Sequence, residues 1–239
     1  MKNLMSKSAI TKIQAAVIAV IIIIVGVVAG IMIIFYQPGA KEIEIKLGVI
    51  YPLTGPMAPL GNEQFFGTKA AIEIINERGG VLGKYPIHYV VADAKSDPTV
   101  AASEAERLIT VEGVQCIVGH YSSAICMAVS EVCEQYGVVD WSNGEVADVI
   151  TQRGYKWILR PQTPAGAFGM LAGEFTYNVI CPKLGVQPSE LKVAILYEDG
   201  PYGTSCAASN RKFAEEYGFQ VVIDEGYSHT ATDLSLIHI

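Results

Sequence analysis

Between residues 114 and 146 the chain gathers side chains that could do chemistry. His120, Ser122 and Ser123 fall in "VQCIVGHYSSAI", and Asp140, Ser142, Asn143 and Gly144 follow in "VVDWSNGEV". A serine beside a histidine, with an aspartate nearby, suggests a nucleophile activated by a base. The histidine and both serines share one strand-to-helix junction, however, and no G-x-S-x-G elbow is present, so a hydrolase is the weaker reading. The second chemistry is anion binding: Gly119 lets another group approach the backbone, while Ser122 and Ser123 cap the helix and aim hydroxyls at whatever occupies its end. The plainer alternative is that a serine merely caps a helix. A third polar loop, Thr54 to Asn62 in "YPLTGPMAPLGN", ends the first strand. Neither a Walker pattern nor GxGxxG follows that strand, which argues against nucleotides.

These loops need elements to hold them, and the patterning supplies alternating strands and helices. "IEIKLGVI" (43–50) reads as a strand, and Phe65, Ala70, Ala71, Ile74 and Ile75 fall at helical spacing before Gly79 and Gly80 end the helix. "IHYVVADA" is a strand, followed by a helix with Asp97 as N-cap and Pro98 at its first position. "VQCIVG" with "SSAICMAVSEVCEQYG", then "VVDWSN" with "EVADVITQRG", repeat the unit, and "KWILR" is a fifth strand. Such alternation implies right-handed crossovers and a parallel sheet covered on both faces, an α/β fold. After "RPQTPAGAFG" come a helix (170–180), the strand "LKVAILYED", a helix from Thr204 to Tyr217 and the strand "FQVVIDEG", which open a second α/β unit.

Half of the chain, 51%, is hydrophobic, and the excess is concentrated near the start. Residues 15–36 carry no charge, long enough to cross a hydrocarbon core as a helix. Lys2, Lys7 and Lys12 precede the run, placing residues 1–14 in the cytoplasm and everything past Tyr36 outside. A secretory signal peptide competes with this uncleaved anchor, but "FYQPGA" offers no small-residue cleavage site and no cysteine follows to carry a lipid. The lysines at 2, 7 and 12 are the only charges in residues 1–36, so of 17 basic and 24 acidic residues the rest of the chain holds 14 and 24, a net charge of −10. Such a surface repels phosphate backbones and makes nucleic acid an unsuitable partner. Cys116, Cys126, Cys133, Cys181 and Cys206 lack metal spacing, so no metal site and no cofactor is expected.

In their order, "IKLGVIYPLTGPMAPLGNEQFFGTKAAIEIINERGGVLG", "DAKSDPTVA", "IVGHYSSA" and "ITQRGYKWILRPQ" resemble the extracytoplasmic solute-binding proteins of branched-chain amino acid and amide ABC transporters, from about Ile45 to Asp233. The leader "KSAITKIQAAVIAV" also looks like the pilin-type leaders of some archaeal binding proteins, cleaved near Ser8. The resemblance implies a type I periplasmic-binding fold: linker 37–44, lobe one 45–163, partial lobe two 164–233 and a non-native tail 234–239, whose "LSLIHI" resembles a translated sequencing-library end. It further implies that Ser123, beside Ser122, grips a ligand carboxylate, that Gly144 offers backbone groups to the ligand head, that Leu60 faces the side-chain pocket and that Tyr202 closes over the ligand from lobe two; Ser142, at the end of its strand, joins this ligand-binding set by position. Pro161, Thr163 and Pro164 would form the hinge. Permease and ATPase subunits are the implied partners, the solute being an amino acid or amide. Where amino-acid binders place a threonine this chain has Val146, which cannot hydrogen-bond an ammonium group, and Ser96 and Ser122 replace a disulfide pair of some bacterial members. A sensor ectodomain of the same fold is the alternative, although fourteen residues before the anchor are too few for a kinase or cyclase.

Overall fold

The computed structural model describes residues 12–35, 44–228, 230, 231, 233 and 234. The leading lysines at 2 and 7, the linker up to residue 43 and the tail from 235 lie outside the described residues. The chain divides into two units, Met1–Ile43 and Glu44–Ile239.

The first unit is a helix, α1 (Lys12–Phe35), of 24 residues. At 1.5 Å per residue it extends about 36 Å. Its described side chains, Val17, Ile18 and residues 20–32, are apolar and almost all exposed, with no polar face. Among the described residues no helix is long and apolar enough to cross a membrane, so the span expected over 15–36 is not shown.

In the second unit, β1 (Ile45–Tyr51), α2 (Ala58–Glu77), β2 (Ile87–Asp93), α3 (Pro98–Thr110), β3 (Cys116–Gly119), α4 (Ser123–Tyr136), β4 (Val139–Ser142), α5 (Val149–Gln152) and β5 (Ile158–Leu159) alternate along the chain. The five strands form one parallel sheet in the order β2-β1-β3-β4-β5. Successive residues of β1 face opposite sides. Ile50 therefore joins Leu108, Ile117, Ile125 and Val129 on the face covered by α3 and α4, whereas Val49 and Tyr51 join Ile72 and Ile87 on the face covered by α2. Each fully buried isoleucine contributes roughly 1.5–3 kcal/mol relative to exposure. The Asp97 cap is present, its carboxylate accepting from Thr99 N at 2.7 Å and Val100 N at 3.2 Å.

The chain continues through α6 (Ala165–Phe175), a π turn (Thr176–Ile180), α7 (Cys181–Leu184), a short 3₁₀ turn (Pro188–Glu190), β6 (Lys192–Glu198), α8 (Pro201–Tyr217) and β7 (Gln220–Tyr227). Strands β6 and β7 pair in parallel as a second sheet. Close crossing of α6 over α8 depends on small residues: a Cβ at Gly169 would stand 2.0 Å from Ser209 Oγ, and one at Gly173 2.9 Å from the Tyr217 ring.

Three expectations are corrected. The helix read from Glu145 shrinks to α5, because the backbone at 146–147 bonds elsewhere: Val146 C=O accepts from Ala165 N at 2.8 Å, and Ala147 C=O accepts from the Arg160 guanidinium. The helix read over 170–180 begins at Ala165, and its end loosens into the π turn, where Cys181 N–H reaches back to Thr176 C=O just before Pro182, which has no N–H. Helix α8 begins at Pro201 rather than Thr204, because the Glu198 carboxylate accepts from Gly200 N at 2.7 Å and Gly203 N at 2.8 Å and supplies the cap from the preceding strand.

Candidate functional site

Strand order reverses direction at β1: β2 lies on one side of it and β3 on the other. Where a parallel sheet reverses in this way, the loops leaving the strand ends diverge and open a crevice at the C-terminal edge. Loops 52–57, 120–122 and 143–148 leave the sheet there. The first is held by Asp93 at the end of β2, whose carboxylate accepts from Leu53 N (2.8 Å), Thr54 N (3.2 Å), Thr54 Oγ1 (2.6 Å) and Lys95 N (2.8 Å). Burial works to raise the Asp93 pKa, but the Thr54 hydroxyl and the three N–H donors together outweigh it and hold the carboxyl below its ordinary value. Ser96, in the left-handed region at φ 59°, donates to Thr54 C=O at 2.8 Å and accepts from Met57 N at 3.1 Å.

Gly119 serves a purpose other than the one its sequence suggests. A Cβ there would stand 1.9 Å from Ile50 C=O, and its φ of +155° disfavours any side chain, so the group that approaches is the carbonyl of β1. Tyr121 takes φ 70°, which turns the chain into α4. Ser122 occupies the N-cap position, with its N–H bonded to His120 C=O and its C=O accepting from Cys126 N–H, but its hydroxyl makes no capping bond, contrary to expectation. Ser122 is half-buried at the crevice, at the start of α4, where the N–H groups of a first helical turn have no intrahelical partner. Ser123 is buried, its hydroxyl 3.4 Å from Ala147 N–H, so it ties the two loops together.

Asn143 and Gly144, both half-buried, stand beside this junction. Asn143 N–H bonds Gly119 C=O at 3.3 Å, and its Nδ2 donates to Tyr51 Oη at 2.7 Å. Gly144 lies against α2, where a Cβ would meet Gln64 Nε2 at 2.6 Å. Ser142, fully buried, donates to Glu145 Oε2, which also accepts from Gly144 N at 3.1 Å. Leu60 on α2 and Tyr202 on α8 are exposed. Burial chiefly raises the pKa of Tyr202, and the neighbouring Cys206, Tyr121 and Glu198 add to the rise. Pro161, Thr163 and Pro164 lie in the irregular segment from β5 to α6, where Pro164 occupies the N-cap position. Val146 is buried.

Beneath the crevice lies a group of ionisable side chains that the sequence spacing conceals. His120, Asp140, Glu145 and Cys126 are all buried, with His120 Nε2 3.2 Å from Asp140 Oδ1 and His120 Nδ1 4.0 Å from Glu145 Oε1. Neither His120 nitrogen attains hydrogen-bond geometry. Burial depresses His120 to about 3 and pushes Asp140 up from its ordinary value, with the Glu145 charge adding to the rise. Burial likewise raises Glu145 against the opposing donors Ser142 and Gly144, and raises Cys126 well above a free thiol. Ser123 bonds Ala147 rather than His120, so the geometry does not assemble a serine with a base. Among the described residues the five cysteines are free. A cavity of 310 Å³ opens elsewhere, between α6, α8 and β6, and is lined by groups such as Gly169, Ala172, Ala194 and Phe219.

Residues 44–238 match the family model described as "Periplasmic binding protein". The chain belongs to this family. Among curated relatives it is 41% identical over 201 residues to Leu/Ile/Val-binding protein homolog 7 of Brucella abortus, covering 83% of the chain and 50% of that protein, and 35% identical to homolog 8 over 192 residues, covering 80% and 47%. It spans about half the length of the relatives it matches. Among solved structures it resembles the branched-chain amino acid substrate-binding protein LivJ of Streptococcus pneumoniae in complex with isoleucine (TM-score 0.69, 27% identity, 82% of this chain and 53% of that one). It also resembles a solute-binding protein of R. palustris in complex with 4-hydroxybenzoate (TM-score 0.69, 26% identity, 82% and 50%). The five-stranded sheet with the opening of a second α/β unit is thus the type I periplasmic-binding fold, and the named relatives are binding proteins rather than enzymes. Sequence reasoning missed Tyr51, Gln64 and Glu145. For Glu145 a signal existed, since an acid three residues after Ser142 at a strand end can turn back onto the loop's own donors.

Proposed function

We propose that the chain is the solute-binding component of an ABC-type importer and seats the carboxylate of a small solute at the junction of β3 and α4. The observation that carries this is the convergence, at the sheet's reversal point, of Tyr121, Ser122, Asn143 and Gly144, half-buried and beside the free N–H groups of α4. A carboxylate satisfies such donors with charge-assisted bonds. The ligands named for the two structural neighbours, isoleucine and 4-hydroxybenzoate, differ in size and aromaticity but share a carboxylate. Ser123 supports the seat through its bond to Ala147, Gly144 offers its backbone, and Leu60 borders the side-chain pocket.

Closure brings the second lobe over the solute about the segment 161–164, with Tyr202 as the closing side chain. Contacts already bridge the two α/β units: Asp148 N–H donates to Ser205 Oγ at 2.9 Å, and Ala165 N–H to Val146 C=O at 2.8 Å. Buried Val146 cannot meet an ammonium group, which favours solutes recognised by the carboxylate over those that need an α-amine contact. The test is a thermal-shift series on a chain completed to the length of its relatives, using branched-chain amino acids, their amides and aromatic carboxylates. Carboxylates should raise Tm while the matching amides do not; equal shifts for both overturn the carboxylate seat.

We further propose that α1 tethers this domain to a membrane with residues 1–14 cytoplasmic, because the sequence is uncharged from Ala15 to Tyr36 and the helix is about 36 Å long. Alkaline carbonate extraction should leave the full chain in the membrane pellet and release a version lacking residues 2–36. Release of both would contradict the tether.

A further inference from the structure

We propose that His120, Cys126 and Glu145 form a buried site for a single divalent transition-metal ion of the zinc type, which pins loop 143–147 to the junction of β3 and α4. One ligand atom from each residue lies within 4.8 Å of the other two, and all three residues are buried. No ligand motif marks positions 120, 126 and 145 in the sequence. Parallel pairing of β3 with β4, which sets Gly119 opposite Ser142, brings the two strand ends together, and the first turn of α4 swings Cys126 beneath them.

The second observation is how the remaining atoms are arranged. Glu145 Oε2 is occupied by Ser142 and Gly144, while Oε1 has no hydrogen-bond partner and faces His120 Nδ1 at 4.0 Å. His120 Nδ1 is also without a partner, and on the opposite side of the ring Nε2 faces Asp140 Oδ1 at 3.2 Å. A metal-bound histidine commonly presents its other nitrogen to a carboxylate, which fixes the ring and strengthens the ligand, and Asp140 stands where that positioning group belongs. Four buried polar atoms, His120 Nδ1 and Nε2, Glu145 Oε1 and Asp140 Oδ1, otherwise lack partners, a costly arrangement in a folded core. Binding neutralises this cost: the Cys126 thiol gives up a proton, thiolate and carboxylate supply two negative charges, and the ion supplies two positive ones. A nitrogen, sulfur and oxygen set suits zinc or cobalt over calcium or magnesium. Ligand atoms of a tetrahedral zinc centre lie roughly 3.5 Å apart, so the three groups need to draw in by about 1 Å or less.

The test is a cobalt titration of the full chain after chelator treatment. One equivalent of Co²⁺ should produce a thiolate-to-cobalt charge-transfer band with strong visible bands of tetrahedral type, and Zn²⁺ should abolish both by displacement. Cys126→Ser should remove the charge-transfer band, Cys206→Ser should leave it, and Asp140→Asn should keep it while weakening affinity about 10- to 100-fold. Cadmium NMR on the wild-type chain reads the ligand set directly and decides the matter if Cys126→Ser does not fold: a shift in the range for one sulfur supports the site. No thiolate band at one equivalent, a band that survives Cys126→Ser, or a cadmium shift indicating no sulfur or several would overturn the proposal.

Discussion

Asn143 Nδ2 donates to Tyr51 Oη at 2.7 Å, which joins the end of β4 to the end of β1 across the intervening strand β3. Tyr51 Oη is also 2.7 Å from Thr68 Oγ1 on α2, so one phenol links the sheet edge, the cleft loop and the covering helix. Burial raises its pKa, and the phenol stays neutral through the physiological range. Replacing Tyr51 by Phe and Asn143 by Ala singly and together should show a coupling of about 0.5–1.5 kcal/mol in chemical denaturation. Additive effects would mean that the bond contributes nothing.

Gly119→Ala places a methyl group 1.9 Å from Ile50 C=O and cannot be accommodated without separating β1 from β3. The expected loss is about 3 kcal/mol or more, read as a lower urea midpoint. An alanine variant within about 0.5 kcal/mol of the parent would show that the strand ends are looser than described.

Ser123→Ala removes the acceptor for Ala147 N–H and, in the proposed seat, a support for the solute's carboxylate. Stability should fall by about 1 kcal/mol and solute affinity by about 1–3 kcal/mol in a completed chain. Loss of stability with affinity unchanged would confine Ser123 to holding the loops.

Asp93 contributes to the acid limb. Its folded-state pKa lies below the ordinary 3.8, so its contribution is present above that value and is lost as the pH falls through the lower folded value. In Asp93→Asn the stability should fall less steeply below pH 4 than in the parent, as measured by urea denaturation across the acid range. Identical acid limbs would show that the four donors do not favour the ionised carboxylate.

Much of this fold is legible in sequence because local rules and global packing agree. Asp97 with Pro98 marks the start of α3, and period-two and period-3.6 patterns locate the strands and the longer helices. The misread places are those where tertiary bonds override local preference. Glu145–Ala147 have a helix-compatible pattern, yet their backbone and carboxylate are claimed by Ala165, Arg160, Ser142 and Gly144. Helix α8 starts three residues early because Glu198, in the preceding strand, supplies the donors' partner. At the candidate site, Ser122 and Gly144 lie half-buried at the strand ends where the sequence pattern puts them, whereas Gly119 answers to a neighbouring strand. The buried approach of His120 to Asp140 depends on sheet register, which twenty residues of separation do not reveal.

The most direct measurement is a crystal structure of a chain completed to the length of its relatives, bound to the carboxylate that raises its Tm most. The carboxylate oxygens should lie about 3 Å from backbone N–H groups at the start of α4 and from the loop carrying Gly144, with Tyr202 above the solute. Density for the solute outside residues 120–146, or a carboxylate turned away from α4, would contradict the account.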